Sequence, residues 1–73
     1  MKKGYILVFT TSSAFEAEML LKAANFSVKL VPTPREFSSD CGIAVEFNAD
    51  SDDIGRICEI LNNAKMEYEV KLI

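Results

Sequence analysis

Tyr5-Ile6-Leu7-Val8-Phe9 is an unbroken apolar run of strand length, rich in β-branched and aromatic residues. A run without polar alternation needs cover on both faces, so it predicts a central strand of a sheet. Helical spacing comes next. Ala17, Leu20, Leu21 and Ala24 recur at i, i+3, i+4 and i+7, leaving Glu16, Glu18 and Lys22 for solvent. Ser13 and Glu16 stand at capping-box spacing and Asn25 suits a left-handed stop, which predicts a helix over about residues 13–25.

Val28 to Val31 alternates briefly before Pro32 and Pro34, whose missing amides place this strand at a sheet edge. Thr33 to Asp40 is polar and reads as a loop. Ile43, Val45 and Phe47 then alternate with Ala44 and Glu46, giving a strand with one strongly apolar face. The acidic, cap-rich segment Asn48 to Asp53 suits the positive end of a second helix, on which Ile54, Ile57, Cys58, Leu61 and Ala64 form one stripe. It lacks the spacing and closing glutamate of a calcium loop. Tyr68, Val70 and Leu72 alternate against Glu67, Glu69 and Lys71 in a last strand.

The predicted order β-α-β-β-α-β is that of the split βαβ, ferredoxin-like folds with their ACT-like relatives: an α+β sandwich, four antiparallel strands with two helices on one face. At 73 residues the chain is read as a single domain over residues 1–73. The order also sets geography. Strand three descends between strands one and two, so the connection from Arg35 to Cys41 lies at the sheet end where the first helix starts, near Thr10 to Ser13.

Composition narrows the function. Eight Lys and Arg against eleven Asp and Glu give a formal charge of −3, with no basic field for a phosphate backbone, so nucleic-acid binding is disfavoured. The apolar run after Lys2 and Lys3 ends within five residues, too short for a signal segment or a membrane span. Two cysteines seventeen positions apart and no histidine make neither a CxxC pair nor a recognisable zinc site, so no metal and no cofactor are expected. A reducing cytoplasm fits such a chain best.

Cys41 is the residue to watch. It stands in a polar segment, Ser38-Ser39-Asp40-Cys41-Gly42, where packing gives no reason for a free thiol. Amides at the helix start, from Thr11, Ser12 and Ser13, and the Arg35 cation would favour its thiolate, while Asp40 and Glu36 would oppose it. Ser38 and Ser39 can hydrogen-bond a bound group or the backbone, and Gly42 permits a close approach or a left-handed backbone. Without histidine there is no self-contained Cys–His hydrolase. What is left suits a carrier or binding module better than an enzyme. Cys58, on the apolar stripe, is expected to be packing, and a Cys41–Cys58 disulfide is not expected.

The string Pro32-Thr33-Pro34-Arg35-Glu36-Phe37-Ser38-Ser39-Asp40-Cys41-Gly42, with the Tyr5–Phe9 run and the Ala17-Glu18-Met19-Leu20-Leu21-Lys22 helix, resembles a family of small bacterial selenium/sulfur carrier-like proteins over about residues 4–72. The resemblance implies that Cys41 carries a persulfide or a selenium atom. It also implies cooperation with a cysteine desulfurase or a small sulfur-transfer protein. Two other readings stand beside it. In one, an ACT-like module binds a small ligand and Cys41 is structural. In the other, an adaptor or homodimer docks through an apolar sheet face carrying Tyr5, Leu7 and Phe9 with Val31 and Ala44 nearby.

Overall fold

The computed structural model describes residues 2–37, 42–50 and 53–72. Six elements follow one another: β1 (Lys3–Val8), α1 (Thr11–Ala23), β2 (Val28–Pro32), β3 (Ile43–Asn48), α2 (Ile54–Asn63) and β4 (Tyr68–Leu72). The four strands form one antiparallel sheet in the order β2-β3-β1-β4, an α+β arrangement. The apolar run thus holds an interior position as its lack of alternation requires, and the strand that meets Pro32 is an edge.

Strand pleat separates two apolar layers. Ile6 and Val8 of β1, with Val45 and Phe47 of β3, meet Ala14, Ala17 and Leu21 of α1 and Ile57 and Leu61 of α2 in the main core. Both helices therefore cover the same sheet face. Tyr5, Leu7 and Ala44 point the other way and form a second cluster with Val31 and Phe37.

The first helix starts two residues before its predicted boundary. Thr10, extended at φ −136° and ψ 156°, is the N-cap, and its Oγ1 accepts from the Ser13 amide at 3.1 Å. Ser13 is thus the third helical residue, and its own hydroxyl lies 2.9 Å from Thr10 Oγ1. With β1 ending at Val8, the chain turns early enough for Thr10 to meet the first free amides, so the cap passes from Ser13 to Thr10. Thr10→Ala is expected to cost about 1 kcal/mol in urea unfolding, while Ser13→Ala, which keeps the accepting hydroxyl, costs less. Equal losses would count against this assignment.

The buried stripe moves with the start. Ala14, Ala17 and Leu21 are fully enclosed, Leu20 and Ala24 only half-buried. Phe15 and Met19 lie on the outward side, more than half exposed. In α2, capped by Asp53 accepting from the Arg56 amide at 3.1 Å, only Ile57 and Leu61 are fully enclosed. Cys58 differs from its expected burial: it is half-buried on the flank of the stripe, and its carbonyl lies 3.3 Å from the Tyr68 hydroxyl.

Both helices end alike. Asn25 at φ 71° and Lys65 at φ 56° take the left-handed conformation, and the amides of Phe26 and Met66 reach back to the carbonyls of Leu21 and Leu61. These are Schellman motifs, whose last residues, Phe26 and Met66, pack against the core. Asn25 was legible from residue type. Lys65 was not, because lysine has no special tolerance for positive φ.

Candidate functional site

The site expected from sequence centres on the connection between β2 and β3. Four of its members, Ser38, Ser39, Asp40 and Cys41, lie outside the described residues, as do Ser51 and Asp52 of the acidic helix start. Both ends of the connection are described. Leu7 pairs with Ala44 and Val31 with Ala44 from the other side, so β3 begins beside the end of β1 and the end of β2. That is the sheet end from which the chain enters α1 through Phe9 and Thr10. The ends of the Cys41 segment and the start of α1 therefore share one end of the sheet.

Each remaining candidate has its place. The Ser13 amide is taken by Thr10 Oγ1 and the Ala14 amide by the Thr10 carbonyl at 3.2 Å. Thr11 and Ser12, at the first two helical positions, carry the amides left outside the helical ladder. Both residues are exposed. Arg35 is exposed and makes no ion pair among the described residues. Gly42 has φ +72°, and a Cβ built on it meets nothing within 4 Å. The left-handed backbone foreseen for this glycine is present.

The connection is anchored by contacts that local pattern could not reveal. The Thr33 amide donates to the Gly42 carbonyl at 3.0 Å, closing its base. The Phe37 amide donates to the Pro34 carbonyl at 3.0 Å, making a tight turn that carries Arg35 and Glu36. Phe37 then lies over Tyr5, with ring centroids 6.0 Å apart and planes tilted by 52°, within the range of aromatic contact. The sheet face opposite the helices is thus partly covered by the chain itself: Tyr5 is 8% exposed, Leu7 5% and Ala44 fully buried. Of the patch foreseen for dimerisation, Phe9 is the residue left open, at 53%.

Thr33 is a residue the sequence reading passed over. Its hydroxyl is buried and has no hydrogen-bond partner among the described residues. A buried hydroxyl normally finds one, so the base of the connection holds an unused polar group. A shallow apolar hollow of about 270 Å³ lies beside it, lined by Leu30, Val31, Pro32, Gly42 and Ile43. The signal was present in Pro32-Thr33-Pro34, where two prolines flank one residue that still has an amide.

Tyr5 also registers the cover over this face. Burial pushes its hydroxyl above the ordinary 10.0, and the neighbouring Glu46 carboxylate, with Glu36 from the Pro34–Phe37 turn, adds to the rise. Each of these favours the neutral phenol in the folded state. Its stabilising effect is therefore complete below pH 10.0 and is lost as the pH climbs through the raised folded value. Unfolding midpoints are expected to fall as the pH rises past about 10, and less steeply in Tyr5→Phe. Parallel curves for the two proteins would contradict the assignment. Tyr68, raised by burial and by Cys58, acts in the same direction and remains in both proteins.

The geometry defines a class: a small α+β domain whose β2–β3 connection, tied back onto the sheet, contains in its sequence a cysteine next to a left-handed glycine. The chain belongs to the family described as "Putative Se/S carrier protein-like", which it matches over residues 3–71. No curated protein and no solved structure matches it. Among the described residues there is no group of three or more potential metal ligands, and no helix is long and apolar enough to cross a membrane.

Proposed function

We propose that this protein is a sulfur or selenium carrier that holds the transferred atom on Cys41 and passes it between proteins. Family membership over residues 3–71 carries the reading. The described scaffold supports it. The exposed Arg35, the Thr11 and Ser12 amides and the left-handed Gly42 all belong to the sheet end at which the Cys41 connection begins and finishes. The strand order, read as β4-β1-β3-β2, supports placing the fold among ferredoxin-like sandwiches.

In the transfer, the Cys41 thiolate attacks the terminal sulfur of a persulfide on the donor. A new S–S bond forms at Cys41 while the donor's own sulfur leaves as a thiolate. The exchange is redox-neutral and needs no base beyond whatever holds Cys41 deprotonated. A chain without histidine can serve in this way, because the donor and acceptor supply the remaining acid–base groups. The donor would be a cysteine desulfurase or a small sulfur-transfer protein, in the cytoplasm. Incubation with a desulfurase and cysteine, followed by intact mass measurement, tests the reading: one sulfur atom should be gained, and Cys41→Ser should gain none.

A further inference from the structure

At the end of the sheet remote from the Cys41 connection, a cleft of about 610 Å³ opens between the end of α1, the start of β2 and the facing ends of β1 and β3. Its size is that of a small-molecule site. Lys2, Lys3, Lys22 and Lys29 line it, and the half-buried Phe26 supplies apolar surface beside the almost fully buried Phe47. Four of the eight Lys and Arg residues of an acidic chain therefore line one concavity. We propose that this cleft binds a small organic anion with an apolar body, a site separate from the Cys41 proposal and independent of it.

The charges around it favour an anion. Glu46 is the single carboxylate in the lining, and Lys3 and Lys29 share it at 3.8 and 3.4 Å. Lys22 pairs with Glu18 at 3.3 Å, and Asp50 is engaged by the backbone amide of Lys2 at 2.8 Å. The Lys2 amine makes no ion pair among the described residues. Each paired ammonium retains N–H donors, and the side chains of Lys3, Lys22 and Lys29 are 54%, 57% and 68% exposed, so these donors remain reachable. The negative end of α1 lies here as well, but the amides of Ala24, Asn25 and Phe26 occupy the carbonyls of Leu20, Leu21 and Lys22. Concave walls focus the field of the amines inward.

The apolar component is equally specific. Phe26 is half-buried at the Schellman turn and packs against the core, so its ring is positioned before any ligand arrives. A bare oxyanion would leave this surface wet, and a neutral apolar molecule would leave the amines unmatched. The complementary molecule carries a carboxylate or phosphate on an aromatic or aliphatic body.

Titration of the ¹⁵N-labelled full chain with phenyl phosphate tests this, with inorganic phosphate and benzyl alcohol as matched probes for charge and body alone. Saturable shifts are expected at Lys2, Lys3, Ser27 and Lys29, with phenyl phosphate binding about tenfold tighter than either control. Lys2→Gln with Lys22→Gln should weaken it about fivefold, since both changes remove an exposed positive charge from the lining. Should that variant fold poorly, raising salt from about 0.05 to 0.3 M on the unaltered protein should still weaken binding severalfold. Absence of saturation would overturn the proposal. So would equal binding of inorganic phosphate, indifference to salt and to the lysine changes, or shifts confined to the Arg35 and Gly42 end.

Discussion

Gly4→Ala is expected to remove about 2–3 kcal/mol of folding stability, most of what a domain of this size retains. A Cβ at this position would overlap the tip of the Phe47 ring, with Cε2 and Cε1 only 2.5 and 2.6 Å away. The two residues are cross-strand partners, and the Phe47 side chain lies across the space a side chain at Gly4 would fill. The ring is nearly fully buried and packs with Ile6, Val45 and Leu21 in the main core, so it cannot yield without displacing them. Gly4→Val adds two further carbons and is expected to leave the chain largely unfolded. Gly42→Ala is the contrasting case. Nothing crowds its Cβ, and the cost comes only from φ +72°, about 1 kcal/mol. Urea midpoints would separate the two glycines, and Phe47→Leu combined with Gly4→Ala should recover part of the loss. If Gly4→Ala matches the unaltered protein, the packing described for β1 and β3 is wrong.

Cys41→Ser is expected to abolish sulfur uptake from a desulfurase, whereas Cys58→Ser retains it. The comparison is needed because Cys58 is only half-buried, and a thiol that water can reach can also meet a persulfide. Yet Cys58 sits within α2, its carbonyl beside Tyr68, away from the β2–β3 connection. The Arg35 guanidinium has no partner among the described residues. Arg35→Gln should therefore slow alkylation of Cys41 at neutral pH, since the nucleophile is the thiolate and a nearby cation lowers the pKa of a thiol. A Cys41 no faster than free cysteine toward iodoacetamide, or one unaffected by Arg35→Gln, would remove the electrostatic basis of the carrier reading. Uptake surviving in Cys41→Ser would remove the reading itself.

Local pattern determined a large part of this protein. The unbroken Tyr5–Phe9 run required an interior strand, Pro32 an edge, Asn25 a left-handed helix stop, and the cap-rich Asn48–Asp53 segment a helix start. Each of these follows from backbone sterics or from hydrogen-bonding groups within a few residues, so the sequence carries it without help. The family resemblance was legible for the same reason, resting on a continuous string around Cys41 and on the spacing of β1 and α1. Tertiary structure decided what depends on residues far apart in the chain. It laid Phe47 across Gly4 and folded Phe37 from the β2–β3 connection onto Tyr5. It left Phe15 and Met19 outside, and it gathered Lys2, Lys3, Lys22 and Lys29 from three separate segments around one cleft. No period along the chain encodes such meetings, because they depend on strand register and on which helix face the sheet accepts.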